Sequence, residues 1–232
     1  MKRFFGQKQN NTIIFENGEA QHIRQVCRLQ IGDKICGIVG DNNEYVCTIT
    51  ESTKTKVEAT INSVNPCPAL PKKQITLFIA MPKREYFETI ITKATELGAS
   101  EIVPFVAKFS VNHSFKRERA EQILLTAVKQ CELSKMPLLT DPVTFDKMIT
   151  KLKEFDLVVF ANETESKAFN LKDLTKFNKI AVIVGCEGGF EQTEIEQIKN
   201  AGAKSISLGS RILRCDTASI ATLTLVSILS EN

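Results

Sequence analysis

From Gln74 onward the chain alternates unbroken apolar runs with segments of helical period, and this alternation excludes most folds. ITLFIA (75–80), EIVPFV (101–106), DLVVFA (156–161) and KIAVIVG (179–185) lack the polar alternation of a half-solvated strand, so each requires cover on both faces. Between them, Phe87, Ile90, Ile91, Ala94 and Leu97 recur at i, i+3, i+4 in a helix that Gly98 ends. Ala120, Ile123, Leu124, Ala127, Val128 and Cys131 share one face of a second helix over 117–133. A helix over 192–201 stopped by Gly202, a short strand over 205–208 and a closing helix over 217–229 complete the series. The pattern predicts an α/β domain built on a parallel sheet. The closing helix is apolar nearly all round, so it belongs in a core or an interface.

The first 65 residues read differently. Short β-type stretches at 34–39, 44–49 and 56–64, the first two separated by the turn GDNN, predict a small antiparallel unit. Pro66, Pro68 and Pro71 resist both helix and ladder, and place a domain boundary there. The expected organisation is an N-terminal module over 1–66, a Pro-rich linker over 67–73 and the α/β domain over 74–232.

Composition removes several function classes. No apolar run approaches the ~20 residues that span a bilayer, and MKRFFGQKQNN lacks a signal-peptide core; a cytoplasmic protein with no membrane partner is expected. Seven cysteines without a C-x-x-C spacing argue against a disulfide framework and against structural zinc. His22 and His113, the only histidines, have no partner spacing and read as surface or structural residues. The net charge of +3 is small, yet residues 67–135 hold 11 Lys and Arg against 7 Asp and Glu. In KFSVNHSFKRER (108–119), Lys108, Lys116, Arg117 and Arg119 flank Phe109 and Phe115, a combination suited to phosphate and base contacts, though also to a solvated helix start.

Two loops carry the chemistry. VGCEGGF (184–190) closes an apolar strand and opens a helix, and LGSRILRCDTASI (208–220) repeats the arrangement. Gly185, Gly188 and Gly189 let peptide groups approach a ligand closely, and ligands of open α/β sheets bind beyond the carboxyl ends of the strands. Neither loop is the dinucleotide G-x-G-x-x-G, and no G-K-[ST] follows, so NAD and ATP are poor candidates.

GCEGGFEQTE (185–194) and LGSRILRCDTA (208–218), with HIRQVCRLQIGD (22–33) and KATELGASEIVP (93–104), resemble motifs of the SPOUT (trefoil-knot) methyltransferases. Within them the chain is similar to the bacterial family that methylates N3 of a uridine in small-subunit (16S) ribosomal RNA. The resemblance implies a knotted parallel-sheet methyltransferase domain, a PUA-like β-barrel that holds RNA, a homodimer, and S-adenosylmethionine bound without metal. Its substrate would be small-subunit ribosomal RNA or the assembled 30S subunit. By matched position it implies a cofactor site made of Val184, Gly185, Glu187, Gly188, Gly189, Leu208, Gly209, Ile212, Leu213, Arg214 and Ala218, with the strand end Phe160, Ala161, Asn162 and Glu163 as a third wall. Glu187 could instead cap N–H groups of its own loop.

Methylating uracil N3 requires loss of its proton and stabilisation of the resulting anion, work suited to arginine. Arg214, Arg211 and Arg3 are the expected catalytic groups, and Arg3, Arg24, Arg28, Lys108, Lys116 and Arg117 the expected RNA contacts. The chain departs from the family pattern at Cys186 (for proline), Glu191 (for a helix-capping serine) and Cys215-Asp216 (for Thr-Glu), and at Phe109 and Leu133, where arginines are frequent. A poorer cap is expected at Glu191. Two alternatives remain at this point: methylation of another RNA nucleotide, or an RNA-binding assembly factor without catalysis.

Overall fold

The computed structural model describes residues 1–69, 71–111, 115–162 and 171–231, with only the backbone described at 171–173 and 231. They form two compact units, Met1–Leu70 with Val128–Met136, and Pro71–Ala127 with Pro137–Asn232. The grouping of 128–136 with the first unit is not visible from sequence.

In the first unit β1 (Arg3–Phe5), β2 (Gln7–Gln9), β3 (Thr12–Glu16), β4 (Lys34–Ile38), β5 (Asn43–Ser52) and β6 (Lys56–Pro66) form one sheet in the order β1-β4-β5-β6-β3-β2. A short helix, α1 (Asn17–Gln21), continues into a π-helical turn over His22–Val26. Most pairings are antiparallel as expected, but β1 runs parallel to β4, which the long connection between them permits. The two end strands β1 and β2 are consecutive in the chain, joined through Gly6, whose N–H bonds the Ile38 carbonyl at 2.9 Å. A Cβ at Gly6 would lie 2.6 Å from the Ile14 carbonyl oxygen, so only glycine fits this crossing. Phe4, Ile13, Phe15, Ile23, Ile35, Tyr45 and Val57 fill the interior, and His22 packs edge-on against Phe4, a structural histidine. His113 lies outside the described residues.

The second unit runs β7 (Gln74–Ala80), α2 (Arg84–Glu96), β8 (Glu101–Val106), α3 (Arg117–Gln130), β9 (Leu138–Leu139), β10 (Val143–Thr144), α4 (Phe145–Lys151), β11 (Leu157–Ala161), β12 (Lys179–Val184), α5 (Gln192–Asn200), β13 (Lys204–Ile206) and α6 (Cys215–Glu231). Its sheet is parallel in the order β10-β8-β7-β12-β11-β13, with β9 beside β8. Both faces are covered. Ile75, Leu77 and Ile79 join residues of α2, α3 and α6 on one side, while Phe78 and Ala80 join residues of α4 and α5 on the other. The expected 117–133 helix stops at Gln130, because Glu132 turns to φ 61° and the Leu133 N–H folds back to the Val128 carbonyl.

Candidate active site

At the carboxyl ends of β11 and β12 a cavity of about 300 Å³ opens between the two motif loops. Its wall includes Asn162, Val184, Gly185, Gly188, Gly189, Leu208, Gly209, Arg211, Leu213 and Ala218, all expected from sequence as site residues. Ala161, part of the expected third wall, also lines it, as do Cys186, Phe190, Gln192, Ile195 and Cys215, which were not expected as site residues. The β11–β13 ladder, with Ala161 opposite Ile206, brings the strand end before Asn162 beside the second motif loop. The Asn162 N–H bonds the Ile206 carbonyl at 3.1 Å.

Phe190 anchors the first loop. Its ring lies 5.3 Å from that of Phe160 and 6.2 Å from that of Phe105, and it leaves no room for a Cβ at Gly185, which would sit 2.9 Å from the ring. Two such aromatic pairs contribute about 0.5–1.5 kcal/mol each beyond their buried area. Phe160 itself is buried in the core and supports the cavity from below rather than lining it. Gly189 turns at φ 65° and Gly209 at φ 106°, conformations costly for any other residue.

A second set of contacts holds the stretch after β8 against this loop. Glu194, 8% exposed, accepts the Lys108 N–H at 2.8 Å on one carboxylate oxygen and the Glu191 N–H at 3.0 Å on the other. The Cys186 thiol donates to the Phe109 carbonyl at 3.1 Å, and a Cβ at Gly188 would lie 2.7 Å from that of Phe109. Contrary to the poorer cap expected there, Glu191 forms a capping box with Glu194: the Glu191 side chain accepts the Glu194 N–H, and the Glu194 side chain accepts the Glu191 N–H.

Several expected site residues stand elsewhere. Glu187 accepts the Lys83 N–H at 3.0 Å and so caps the start of α2, neither lining the cavity nor capping its own loop. Ile212 is 84% exposed and does not line the cavity. Arg214 is also exposed, with its guanidinium 5.5 Å from the Tyr86 ring centre and 3.6 Å from Asp216. Arg3 bridges Glu44 at 2.7 Å and Glu132 at 3.4 Å and donates to the Glu132 carbonyl, so its charge ties parts of the first unit together. Burial is the largest single influence and opposes that charge, but the bond to Glu44 together with the charges of Glu44 and Glu132 outweighs it and raises the Arg3 pKa. Arg117 is clamped by Asp141 at 2.8 Å and by Glu121, and Arg119 by Glu88. Arg28, Lys108 and Lys116 are exposed and Arg24 half-buried; Glu163 lies outside the described residues.

Burial raises the Cys186 thiol and, with the Glu187 and Asp216 carboxylates, pushes that of Cys215 up to about 12. Both thiols are neutral at physiological pH, so neither offers a thiolate nucleophile. Among the described residues there is no group of three His, Cys, Asp or Glu placed to hold a metal, and no helix long and apolar enough to cross a membrane.

Residues 68–227 match the family model described as an RNA methyltransferase domain, and residues 15–62 the one described as an RNA methyltransferase PUA domain. Fold and site thus define an RNA methyltransferase. The chain is 35% identical to the ribosomal RNA small subunit methyltransferase E of Mesomycoplasma hyopneumoniae, across 97% of this chain and 98% of that one. It is 32% identical to the Bacillus subtilis protein of the same name, across 95% and 91%. A Legionella pneumophila structure, described as a methyltransferase in complex with bound SAM, superposes with a TM-score of 0.84 at 26% identity, covering 97% of this chain and 96% of that one. The chain belongs to the ribosomal RNA small subunit methyltransferase E family.

Proposed function

We propose that this protein transfers the methyl group of S-adenosylmethionine to N3 of a uridine in small-subunit ribosomal RNA. The observation that carries the reading is the cavity itself, where glycine backbone and the apolar Leu208, Leu213 and Ala218 meet the cation Arg211. Its residues fit the cofactor: peptide groups of Gly185, Gly188, Gly189 and Gly209 can read adenine and ribose edges, and the apolar side chains can sandwich the base. When bound, S-adenosylmethionine supplies a methyl group already activated on a sulfonium, so no metal is required.

The chain's own part is to position the uracil and stabilise the charge that develops on N3, O2 and O4. Arg211 stands in the cavity wall, and Arg214 is steadied near it by Tyr86 and Asp216. Both side chains are exposed in the free protein, and RNA laid over them would exclude water and strengthen their hold on that charge. Arg3, bound to Glu44 and Glu132, is a structural tie in this reading.

Residues 1–66 act as a PUA-like barrel, a reading supported by end strands that are covalently continuous through Gly6. Residues 67–73 link it to a knotted SPOUT domain over 74–232. Family membership and the return of the 208–214 loop beside the 184–190 loop support the knot. Arg24, Arg28, Lys108 and Lys116 contact RNA, in the naked molecule or the 30S particle in the cytoplasm. The protein acts as a homodimer: α6 turns Ser219 and Thr222 inward while Leu225 and Ile228 remain 39% and 55% exposed, an apolar face suited to a second copy.

Incubation with methyl-labelled S-adenosylmethionine and ribosomal subunits from a strain lacking the enzyme tests the reading. Label should enter small-subunit RNA. Label confined to large-subunit RNA, or none, would reject it.

A further inference from the structure

Between α2 and the start of α3 lies a second pocket, of about 130 Å³, with Phe87 and Phe115 in its wall. The two rings meet edge to face at 6.1 Å. Arg84, Lys116 and Arg119 stand around it with a single carboxylate, that of Glu88, among them. Glu88 accepts Arg84 Nε at 2.8 Å and an Arg119 terminal nitrogen at 3.0 Å. A helix-to-helix clamp needs one such pair. Here two arginines share one carboxylate while remaining 60% and 55% exposed, and Lys116 adds a third cation. Around this pocket positive charge exceeds negative beside an aromatic surface.

Its location links it to the cavity described above. The first turn of α2 touches both motif loops, through the Lys83 N–H on Glu187 and the Tyr86 ring under Arg214, and the same turn supplies Arg84, Phe87 and Glu88. RNA whose target base enters the cavity would pass this turn next.

We propose that the pocket takes a second, unpaired nucleotide of the RNA substrate, with its base against Phe115 and the adjoining phosphate on Arg84, Lys116 and Arg119. The proposal rests on the RNA-methyltransferase reading above. Every base has a face that can stack on an aromatic ring, and a phosphate can take guanidinium donors now directed at Glu88. In the free protein Glu88 occupies the position of that phosphate as an internal anion. It both holds the arginines in place and competes with RNA for them.

The competition gives the test its sign. Binding of fluorescein-labelled decauridylate to the full chain is measured by anisotropy across a salt series, with S-adenosylmethionine affinity measured on each variant in parallel. Glu88→Gln should tighten decauridylate binding about two- to fivefold, the effect of removing one like charge from a phosphate site. Arg119→Ala and Lys116→Ala should weaken it and reduce the salt slope by about 0.7 each, and Phe115→Ala should weaken it with the slope unchanged. Cofactor affinity should stay at wild type throughout, which separates failure of this pocket from failure of the cofactor reading. A folded Glu88→Gln protein that binds decauridylate no better than wild type, or a Lys116→Ala protein with an unchanged salt slope, would overturn the proposal. Lys116 is exposed, so that variant is informative even if a change at Glu88 disturbs folding.

Discussion

Glu194 and Lys108 are 86 positions apart in sequence, yet the carboxylate of one accepts the backbone N–H of the other at 2.8 Å. Its second oxygen holds the start of α5 through the Glu191 N–H. One buried side chain thus fixes the stretch after β8 against the helix that contributes Gln192 and Ile195 to the cavity. Glu194→Ala leaves two backbone donors without this acceptor, and should lower stability by about 2–4 kcal/mol in urea denaturation. Glu194→Gln keeps one acceptor oxygen and should recover about half of that loss. Wild-type stability in the alanine variant would show that the bridge contributes nothing.

Gly188 faces Phe109 so closely that any Cβ must displace it. Gly188→Ala should weaken S-adenosylmethionine binding in calorimetric titration by tenfold or more, about 1.4 kcal/mol. Phe109→Gly removes the obstructing Cβ and should restore part of that affinity in the double variant. If the two substitutions simply add, the loop and Phe109 are not coupled as the geometry indicates.

The thiols provide a pH test. Cys27 and Cys131 are half-buried while Cys36, Cys47, Cys67, Cys186 and Cys215 are buried, so only the first two should react promptly with a disulfide reagent in the native protein. Burial pushes Cys47 up to about 11 and Cys215 to about 12 from an ordinary value of 9.0. Above pH 9 the unfolded chain therefore holds fewer thiol protons than the native one, and stability should fall as pH rises from about 9 towards 11. Replacing Cys47 and Cys215 by alanine should flatten that fall in denaturation measured across the range; an equally steep profile would assign it to other groups.

Much of the architecture was legible because its signals are local. Continuous apolar runs marked β7, β8, β11 and β12, and Gly98 and Gly202 the ends of α2 and α5, whereas the two-residue strands β9 and β10 and the helix α4 were missed. The strands over Arg3–Phe5, Gln7–Gln9 and Thr12–Glu16 were missed; the first two have three residues each, and Gln7–Gln9 is wholly exposed and polar. Glycines and apolar residues of both loops fall together in one cavity wall, a grouping legible in sequence because each motif is contiguous. Partner assignments failed where the partner is remote: Glu187 meets Lys83, 104 positions away, and Arg117, read as a phosphate ligand, meets Asp141, 24 positions on. The departures Cys186 and Phe109 looked independent in sequence, but the thiol of one bonds the carbonyl of the other.

Arginine roles separate by location. Arg214→Ala should raise the single-turnover barrier by about 2–4 kcal/mol at saturating small subunits, with cofactor affinity little changed. Arg117 is held by Asp141 and Glu121, so Arg117→Ala should leave the salt dependence of RNA binding near wild type. If Arg214→Ala retains its single-turnover rate and only weakens RNA binding, its role is positional.

The atom methylated defines the reaction. Small ribosomal subunits from a strain lacking the enzyme are incubated with the protein and S-adenosylmethionine in EDTA, and their RNA is digested to nucleosides for mass spectrometry against synthetic standards. The expected new nucleoside is 3-methyluridine, in full yield despite the chelator. A methyl group on any other atom or base, or a product that appears only when metal is restored, would contradict it.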